Sequence, residues 1–421
     1  MSDRPEGLSA YIAVTAAYWA FMLTDGALRM LVLLHFHTIG FSPVQLAYLF
    51  VLYEVAGMVT NLSAGWIAAR FGLTSTLYAG LGIQIAALLT MTFLDPHWSV
   101  ATSVAFVMAV QGASGVAKDL AKMSSKSAVK LLAPTTGGGL FRWVAILTGS
   151  KNAVKGVGFL LGAIMLVTMG FMTAIFVMAA VLAVILFAVI RFMPPGLPKG
   201  RKGAKFSEVF SKSPNVNWLS VARVFLFGAR DVWFVVGIPI YFYAVLSDGT
   251  EEGNRAAFFM IGTFMAVWVI LYGAVQASAP KILRAADRTE GDLIKAARTW
   301  AAVLFCIPAT LTVAVLISDG PQTWLTATLV LGLLVFGAIF AVNSSLHSYL
   351  ILAFTKSERV TMDVGFYYMA NATGRLVGTV LSGLTYQVGG LPLVLGTAAA
   401  MVALAALTSG KLTDQTHEAH A

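Results

Sequence analysis

The sequence contains little of what soluble enzymes and metal-binding domains are built from. Only 11% of its 421 residues are charged, and Cys306 is the single cysteine. One cysteine excludes an intramolecular disulfide and any metal site made of cysteine pairs. GxSxG, HExxH and phosphate-binding glycine loops are also absent from the sequence. We therefore expect no enzyme activity, no cofactor and no metal site.

Hydrophobic residues take the place of charge. They make up 58% of the chain, and the mean hydropathy is +0.82, which excludes an ordinary soluble domain and is typical of a polytopic helical membrane protein. At roughly 20 residues per crossing plus loops, the length leaves room for about twelve helices. Residues 1–9 lack the basic start and cleavage site of a signal peptide, so the first apolar run is predicted to be a retained first helix.

The net charge of +9 is distributed as membrane topology requires, not as nucleic-acid binding would. Basic residues collect in alternate loops: Arg70; Lys122, Lys126, Lys130 and Arg142; Lys199, Arg201, Lys202, Lys205 and Lys212; Lys281, Arg284, Arg288 and Lys295; Lys356 and Arg359. The intervening loops hold Asp95, Asp248, Glu251, Glu252 and Asp319, with Arg255 as their one strong base. This positive-inside pattern predicts a multi-pass membrane protein with both termini in the cytoplasm and no nucleic-acid partner.

Hydropathy and turn residues predict two sets of six helices. The predicted helices cover 10–37, 43–68, 73–94, 98–120, 141–169, 171–193, 218–246, 256–280, 296–317, 322–350, 362–388 and 391–410. Between the sets lies a basic stretch rich in Pro, Gly and Ser, which reads as a cytoplasmic linker over 194–217. The chain thus divides into an N-terminal six-helix bundle (1–193), the linker and a C-terminal six-helix bundle (218–421).

This layout is that of the major facilitator superfamily, whose halves are parallel repeats around a site at the membrane midplane. A short internal repeat supports this layout, because the stretches around Asp25 and Asp231 align with each other. The sequence GWIAARFG at 65–72 resembles the superfamily signature GxxxDRxG, with Ala69 where the acid is expected. We therefore predict an all-α major facilitator fold with 12 transmembrane helices.

Positive charges lie inside the apolar segments. Arg29, Lys155, Arg230 and Arg375 fall within predicted helices, and Lys118 and Lys151 lie at or near helix ends. A cation at membrane depth costs several kcal/mol unless it faces a partner or a wet cavity, so each marks a candidate functional site. Because acidic residues are fewer, the cations indicate a cavity for a small anion. Arginine would bind its oxygens bidentately, and lysine would act as a mobile point charge.

Helical spacing assigns provisional neighbours to these residues. Tyr18, Asp25 and Arg29 share one face, either as a substrate contact tuned by Asp25 or as a private Asp25–Arg29 ion pair. In the fourth helix, Lys118 begins a face with Lys122 and two further lysines, Lys126 and Lys130, which we assign to a solvated cytoplasmic extension. Asp119 is turned about 100° away from that face.

The fifth and seventh helices follow the same logic. Lys151 and Lys155 share a face, either toward substrate or snorkelling to the membrane boundary, and Gly158 and Gly162 would let a neighbouring helix approach closely. In the seventh helix we assign Arg230 to substrate, Arg223 to an interface anchor, and Asp231 to the opposite side.

The eleventh helix carries the longest polar stripe: Tyr368, Asn371, Arg375, Thr379, Ser382 and Tyr386. Such a face must line protein or water. Gly374 and Gly378 lie beside it and again permit close packing. The tenth helix adds Asn343 and His347.

These assignments give the candidate site. The predicted substrate-binding residues are Arg29, Lys118, Lys151, Lys155, Arg230, Tyr368, Asn371 and Arg375. The residues predicted for proton coupling or gating are Asp25, Glu54 and Asp231. For Glu54, a structural role capping a neighbouring helix is an equal alternative to carrying a proton.

Beyond the superfamily layout, the chain resembles the ArsJ family of organoarsenical efflux permeases. The stretches that carry the resemblance are YWAFMLTDGALRMLVLLHFHTIGFSPVQLAYLF (18–50), AKDLAKMSSKSAVKLL (117–132), WVAILTGSKNAVKGVGF (143–159) and FSEVFSKSPNVNWLSVARVFLFGARDVWFVVGIP (206–239). The resemblance implies export of 1-arseno-3-phosphoglycerate, which glyceraldehyde-3-phosphate dehydrogenase makes when arsenate replaces phosphate. Arsenate would thereby leave the cell.

The residues agree with that substrate on two points. It is a small polyanion, and its pentavalent arsenic needs only cations and hydrogen-bond donors. Trivalent arsenic would require several soft thiolates, which Cys306 alone does not supply within a monomer. An organophosphate:phosphate exchanger or another proton-coupled organic-anion exporter would need similar cations. A drug exporter would need more acidic than basic residues in its cavity, which this sequence does not show. A membrane enzyme or a non-transporting sensor is the remaining class of function.

Overall fold

The structure is a computed structural model that describes residues 8–132, 139–193, 210–284, 288–355 and 360–414. Most of the predicted linker, with Lys199 to Lys205, lies outside these residues, as do Lys356 and Arg359. The side chains of Ala69, Arg70, Lys126, Lys130 and Arg142 also lie outside the described part.

Every regular element in the described ranges is helical. The helices are α1 (Leu8–Thr38), α2 (Pro43–Tyr48), α3 (Val51–Phe71), α4 (Leu73–Met91), α5 (Val100–Leu132), α6 (Gly139–Phe192), α7 (Pro214–Val232), α8 (Ile238–Leu246), α9 (Glu251–Ile282), α10 (Glu290–Leu316), α11 (Thr323–Ala353) and α12 (Val360–Ser409). A π-helical stretch, Trp233–Gly237, joins α7 to α8. We call α1–α6 the N-terminal half and α7–α12 the C-terminal half.

Ten continuous helical spans in the described residues are long and apolar enough to cross a membrane. Two of them contain a sharp break. Helix α6 passes through Gly170 with φ 74° and ψ 175°, and α12 passes through Gly389 and Gly390, the second with φ 60°. Positive φ is a conformation that glycine adopts without steric cost. Each long helix is therefore two segments joined by a glycine turn, which is consistent with the twelve predicted crossings.

The turn residues start helices as expected. The Ser42 hydroxyl accepts a hydrogen bond from the backbone N–H of Gln45, whose side chain accepts from the Ser42 N–H, and Pro43 occupies the first turn. Three elements differ most from the predictions. Helix α5 continues to Leu132 instead of ending near 120, the predicted helix 43–68 is divided into α2 and α3, and the predicted seventh helix is interrupted by the π-helical stretch.

Glycines set the closest helix contacts. A Cβ on Gly162 of α6 would lie 2.3 Å from the Ala27 backbone oxygen of α1, and one on Gly158 would lie 2.4 Å from the Leu23 oxygen. A Cβ on Gly374 of α12 would likewise lie 2.3 Å from the Val224 oxygen of α7. Side chains at these positions would separate the helices, so the small residues allow their backbones to touch.

The apolar core of each half includes a few side chains of the other half, and the halves meet mainly along three helix pairs. In the C-terminal half the aromatic rings of Trp233, Trp268 and Phe336 pack edge to face with centroids 5.3 to 5.5 Å apart. Between the halves, α6 packs on α9, and both α2 and α3 pack on α12. These contacts leave the space between the halves that holds the candidate site.

Candidate transport cavity

A cavity of about 190 Å³ lies between the two halves. Its walls come from α1, α3, α5 and α6 on one side and from α7, the π-helical stretch, α9, α11 and α12 on the other. The helices that supply most of its charges are those held together by the glycine contacts, α1 with α6 and α7 with α12. Close backbone packing thus fixes the spacing of the charged side chains.

The structure brings all eight predicted substrate-binding residues to this cavity: Arg29, Lys118, Lys151, Lys155, Arg230, Tyr368, Asn371 and Arg375. Glu54 and Asp231, predicted for coupling, line it as well. Asp25 is 4% exposed and reaches the cavity through Lys155, to which it is bonded. Their location is therefore shown, while substrate binding and coupling remain predictions.

Positive charge exceeds negative charge in the lining. Eight cationic side chains line the cavity, against the three carboxylates of Glu54, Asp119 and Asp231. Two of the cations, Lys122 and Arg223, were assigned elsewhere from the sequence. In a partly dry site the attraction of such an excess for an anion is much stronger than in bulk water. The excess of positive charge therefore favours an anion in the cavity.

A chain of ion pairs crosses the cavity from one half to the other. Glu54 Oε1 lies 3.3 Å from Arg29 Nη1 and 2.5 Å from Arg375 Nη2. Arg375 Nε lies 3.3 Å from Asp231 Oδ2, and the other oxygen of Asp231 accepts from Arg230 Nε at 2.6 Å. Glu54 is fully buried, and its Oε2 has no hydrogen-bond partner among the described residues. One carboxylate on α3 thus joins arginines of both halves.

Asp25 is bonded to α6 and α3, not to its own helix. Lys155 Nζ lies 2.6 Å from Asp25 Oδ2, and the Tyr53 hydroxyl donates to Asp25 Oδ1 at 2.6 Å. The alternative of a private Asp25–Arg29 pair is wrong, because Arg29 bonds Glu54 instead. The i,i+4 spacing permitted that pair, but a lysine brought close by helix packing provides Asp25 with a shorter contact.

Asp119 is also placed differently from the prediction. It contacts Lys122 Nζ at 2.6 Å and accepts from Asn61 Nδ2 at 3.3 Å, with Lys118 Nζ at 3.9 Å. Long side chains bend across the helix surface, so a 100° offset between Cβ directions does not separate them. Lys122, which the sequence pattern places with the loop cations, lies in the cavity because α5 continues past residue 120. Its own bond to Asn61 Oδ1 is 2.5 Å.

The seventh predicted helix brings two corrections. Asp231 was expected on the side opposite Arg230, yet its carboxylate accepts hydrogen bonds from both Arg230 and Arg375. Arg223 was expected to anchor the membrane interface, yet it is 4% exposed and lines the cavity. Its Nε donates to Asn371 Oδ1 at 2.9 Å. The polar stripe of α12 could have indicated this position, because the side-chain oxygen of Asn371 requires a hydrogen-bond donor on the helix that faces it.

Aromatic and amide side chains complete the walls. They are Tyr18, Asn61, Asn152, Phe159, Phe227, Phe234, Trp268, Tyr272, Gln276, Tyr368 and Asn371. Asn152 Nδ2 donates to Gln276 Oε1 at 3.1 Å and so connects the halves at α6 and α9. The amides and hydroxyls can hydrogen-bond the uncharged part of a ligand, and the rings can solvate cations through their faces.

The outer part of the α12 stripe has a structural role. Ser382 Oγ accepts from the backbone N–H groups of Val236 and Gly237, both at 3.1 Å, within the π-helical stretch. Thr379 and Ser382 are fully buried away from the cavity, and so are Asn343 and His347 of α11.

Soft or multidentate metal ligands do not gather in the described residues. No group of three His, Cys, Asp or Glu side chains there is placed to hold a metal ion. Cys306 is exposed on α10 and is not part of the cavity lining. His35 stacks on Phe171 with ring centroids 4.1 Å apart, and His37 packs edge-on to Tyr243 of the other half at 4.8 Å.

Comparison with known proteins identifies the family. The model of the Major Facilitator Superfamily matches residues 10–351. The chain belongs to this superfamily. A solved structure described in a study of substrate recognition in proton-dependent oligopeptide transporters is 14% identical, with a TM-score of 0.69 over 96% of this chain and 97% of that one. The nucleoside transporter NupG is 13% identical, with a TM-score of 0.67 over 95% and 98%.

No curated protein sequence matches the chain. At the identities of the two solved structures, the likeness shows the fold alone. The all-α major facilitator fold is confirmed, and the chain is a multi-pass membrane protein whose function is secondary transport. Because the superfamily carries many kinds of substrate, the substrate has to be argued from the cavity.

Proposed function

We propose that this major facilitator exports a small organic polyanion, 1-arseno-3-phosphoglycerate, and thereby confers resistance to arsenate. The single observation that carries the anionic class is the excess of eight cations over three carboxylates in the cavity lining. A cationic or neutral drug would be repelled or left unpaired in such a site, because like charge at short range costs several kcal/mol in a poorly solvated cavity.

The identity of the anion rests on the resemblance to the ArsJ permeases. The chemistry of the cavity is compatible with it, because a phosphate ester and a pentavalent arsenate ester are both bound by arginine, lysine and amide donors. Cys306, the single thiol of the chain, lies outside the lining, so it supplies no thiolate that could bind trivalent arsenic in the cavity.

Transport would follow from charges shared between the halves. Arg29, Lys118, Lys151 and Lys155 face the cavity from the N-terminal half, and Arg230 and Arg375 face it from the C-terminal half. An anion bound by both sets would be released when the halves rock apart and the sets separate. Tyr368 and Asn371 would hydrogen-bond the glycerate part.

The buried carboxylates would reset the empty carrier. Glu54 bonds Arg29 and Arg375 at 3.3 and 2.5 Å, so an incoming anion would compete with it for two guanidinium groups. For proton antiport, one of Glu54, Asp25 and Asp231 would carry a proton inward on the empty carrier after the anion has left, and would be ionised again before the next anion is exported. The protein would act as a monomer in the bacterial inner membrane with both termini in the cytoplasm.

Arsenic retention in arsenate-treated cells tests this function. Cells that make glyceraldehyde-3-phosphate dehydrogenase and this transporter should hold less arsenic and tolerate more arsenate than cells with the dehydrogenase alone. The double variant Arg29→Ala/Arg375→Ala should retain arsenic like the empty vector. Full tolerance in that variant, at equal membrane abundance, would sink the proposal of an anion site.

The nearest rival is an organophosphate:phosphate exchanger, which would need the same cations but no proton carrier. Everted vesicles separate the two mechanisms. A proton-coupled exporter loses uptake when the pH gradient is collapsed, whereas an exchanger depends on phosphate preloaded inside the vesicles and ignores the gradient. The buried Glu54, bonded to arginines of both halves, favours the proton-coupled mechanism.

A further inference from the structure

Arg223 differs from the other arginines of the cavity in its surroundings. Arg29, Arg230 and Arg375 each contact at least one carboxylate. None of the ion pairs found among the described residues includes Arg223. It is nevertheless 4% exposed. A buried guanidinium without a counter-charge is costly, so a position that keeps one needs a reason.

Neutral groups hold this guanidinium in place. Its Nε donates to Asn371 Oδ1 at 2.9 Å, and its Nη1 donates to the Ser344 carbonyl at 3.0 Å and the Ser344 hydroxyl at 3.2 Å. The ring of Phe227 lies 3.9 Å from its central carbon, and that of Tyr367 lies 5.0 Å away. These contacts fix the orientation of the group but leave its charge uncompensated.

One edge of the guanidinium stays available. Nη2 donates to no atom in the described part of the chain. It is also absent from the enclosed polar atoms without a partner, so it is not fully enclosed by protein. Arg223 lines the cavity, and its Nε and Nη1 already donate to protein atoms, which leaves Nη2 as the nitrogen free to meet a ligand there. Two N–H donors and a whole positive charge therefore meet the ligand space without any carboxylate to displace.

We propose that Arg223 is the primary oxyanion-binding residue of the cavity, with the substrate supplying its missing counter-charge. The inference rests on the proposed function, since it requires an anionic substrate. An anion meeting Arg29 or Arg375 has to displace Glu54, whereas an anion meeting Arg223 displaces nothing charged. Arg223 would bind first, and the carboxylate-paired cations would follow. The group bound is a carboxylate or a phosphate oxygen pair, which guanidinium contacts in the same way.

Ligand-induced stabilisation of the purified transporter tests this assignment. Unfolding temperature is measured in detergent with 3-phosphoglycerate, inorganic phosphate and glycerate, each titrated at constant ionic strength. For wild type we expect saturable stabilisation by 3-phosphoglycerate. Arg223→Gln should weaken that binding about 10- to 100-fold, because a charge-assisted hydrogen-bonding site is lost. Arg223→Lys, which keeps the charge but not the fork, should fall in between.

The matched control is Arg255→Gln, which makes the same change in charge at an exposed Arg255–Glu251 pair outside the cavity. It should bind like wild type. If Arg223→Gln folds and binds every ligand as wild type does, the assignment is overturned while the anion cavity stands. If wild type is stabilised by none of the three ligands, the assignment and the proposed function fall together. Weakened binding of phosphate alone or of glycerate alone supports the assignment and tells which group Arg223 holds.

Discussion

The N-terminal half presents four lysines and one arginine to the cavity, whereas the C-terminal half presents three arginines and no lysine. The carboxylates follow the same division. Asp25, Glu54 and Asp119 belong to the N-terminal half, and Asp231 is the acid that the C-terminal half places beside the cavity cations. Lysine is a mobile point charge and arginine a rigid fork. For the proposed anion, we expect the C-terminal half to set its orientation and the N-terminal half to balance its charge.

Beneath this difference the two halves share one arrangement. In each, an aspartate on the first helix is bonded by a cation from the helix that packs against it through glycines. Lys155 Nζ lies 2.6 Å from Asp25 in the N-terminal half, and Arg375 Nε lies 3.3 Å from Asp231 in the C-terminal half. The alignment of Asp25 with Asp231 in the sequence therefore corresponds to a repeated structural unit.

The first helix of each half differs in regularity. Helix α1 is uninterrupted from Leu8 to Thr38, whereas its counterpart contains the π-helical stretch Trp233–Gly237. Such bulges are rare and occur frequently at functional sites. Phe234 and Val235 of this stretch line the cavity, so the irregular backbone lies at the ligand space in one half alone.

The largest effect should come from Arg375, which joins the halves. Arg375→Gln leaves the buried Glu54 and Asp231 undercompensated, and breaking a buried pair in this way costs roughly 3–5 kcal/mol. We expect transport to fall to background and the unfolding temperature to drop. Adding Glu54→Gln should restore part of the stability but not transport. Unchanged stability in the single variant would show that the ion-pair chain across the cavity is not a structural link.

The Asp25–Lys155 pair tests whether the repeated unit is held by charge. Asp25→Asn and Lys155→Met should each lower the free energy of unfolding by about 3 kcal/mol, because each leaves one buried charge unpaired. The double variant should lose less than the sum of the two, with a coupling of about 0.5–3 kcal/mol. Additive losses would mean that the two groups do not stabilise each other.

Helix contact through glycine should matter equally in both halves. Gly162→Ala and Gly374→Ala would each place a Cβ 2.3 Å from a backbone oxygen of the facing helix, so each should cost about 2 kcal/mol. Gly82→Ala in α4 is the control, since its Cβ would meet no atom within 4 Å. Thermal unfolding of the three variants gives the comparison. A loss confined to one half would break the symmetry described above.

The smallest expected effect concerns the π-helical stretch. Ser382→Ala removes the acceptor of two backbone N–H groups and should cost about 1–2 kcal/mol. Thr379→Val on the same helix is the control, because its buried hydroxyl has no partner among the described residues. That change should be neutral or stabilising. Equal effects from both variants would argue that Ser382 does not support the bulge.

The sequence was sufficient for much of the fold and for most of the charged residues that line the cavity. Apolar runs and turn glycines predicted the helices, and cations at membrane depth are rare enough that Arg29, Lys155, Arg230 and Arg375 stood out. Which acidic residue pairs with which cation was not predictable in the same way. Asp25 has a possible partner four residues away, yet helix packing offers it Lys155, 130 residues on. Local spacing carries no information about that choice.

Arg223 and Lys122 show the second limit. Both lie near predicted helix ends, where an exposed or snorkelling cation is the ordinary outcome. Whether such a residue is buried depends on how far the helix continues and on what faces it. Helix α5 continues to Leu132, and Asn371 faces Arg223 from α12. Neither fact follows from local hydropathy.

The central claim is that this cavity moves an anionic arsenical ester out of the cell. The most direct test is uptake of arsenic into everted membrane vesicles supplied with purified glyceraldehyde-3-phosphate dehydrogenase, its substrate, NAD and arsenate. We expect saturable arsenic accumulation that requires both the dehydrogenase and the transporter and is lost in Arg29→Ala/Arg375→Ala vesicles. Accumulation no greater than in vesicles without the transporter would contradict it.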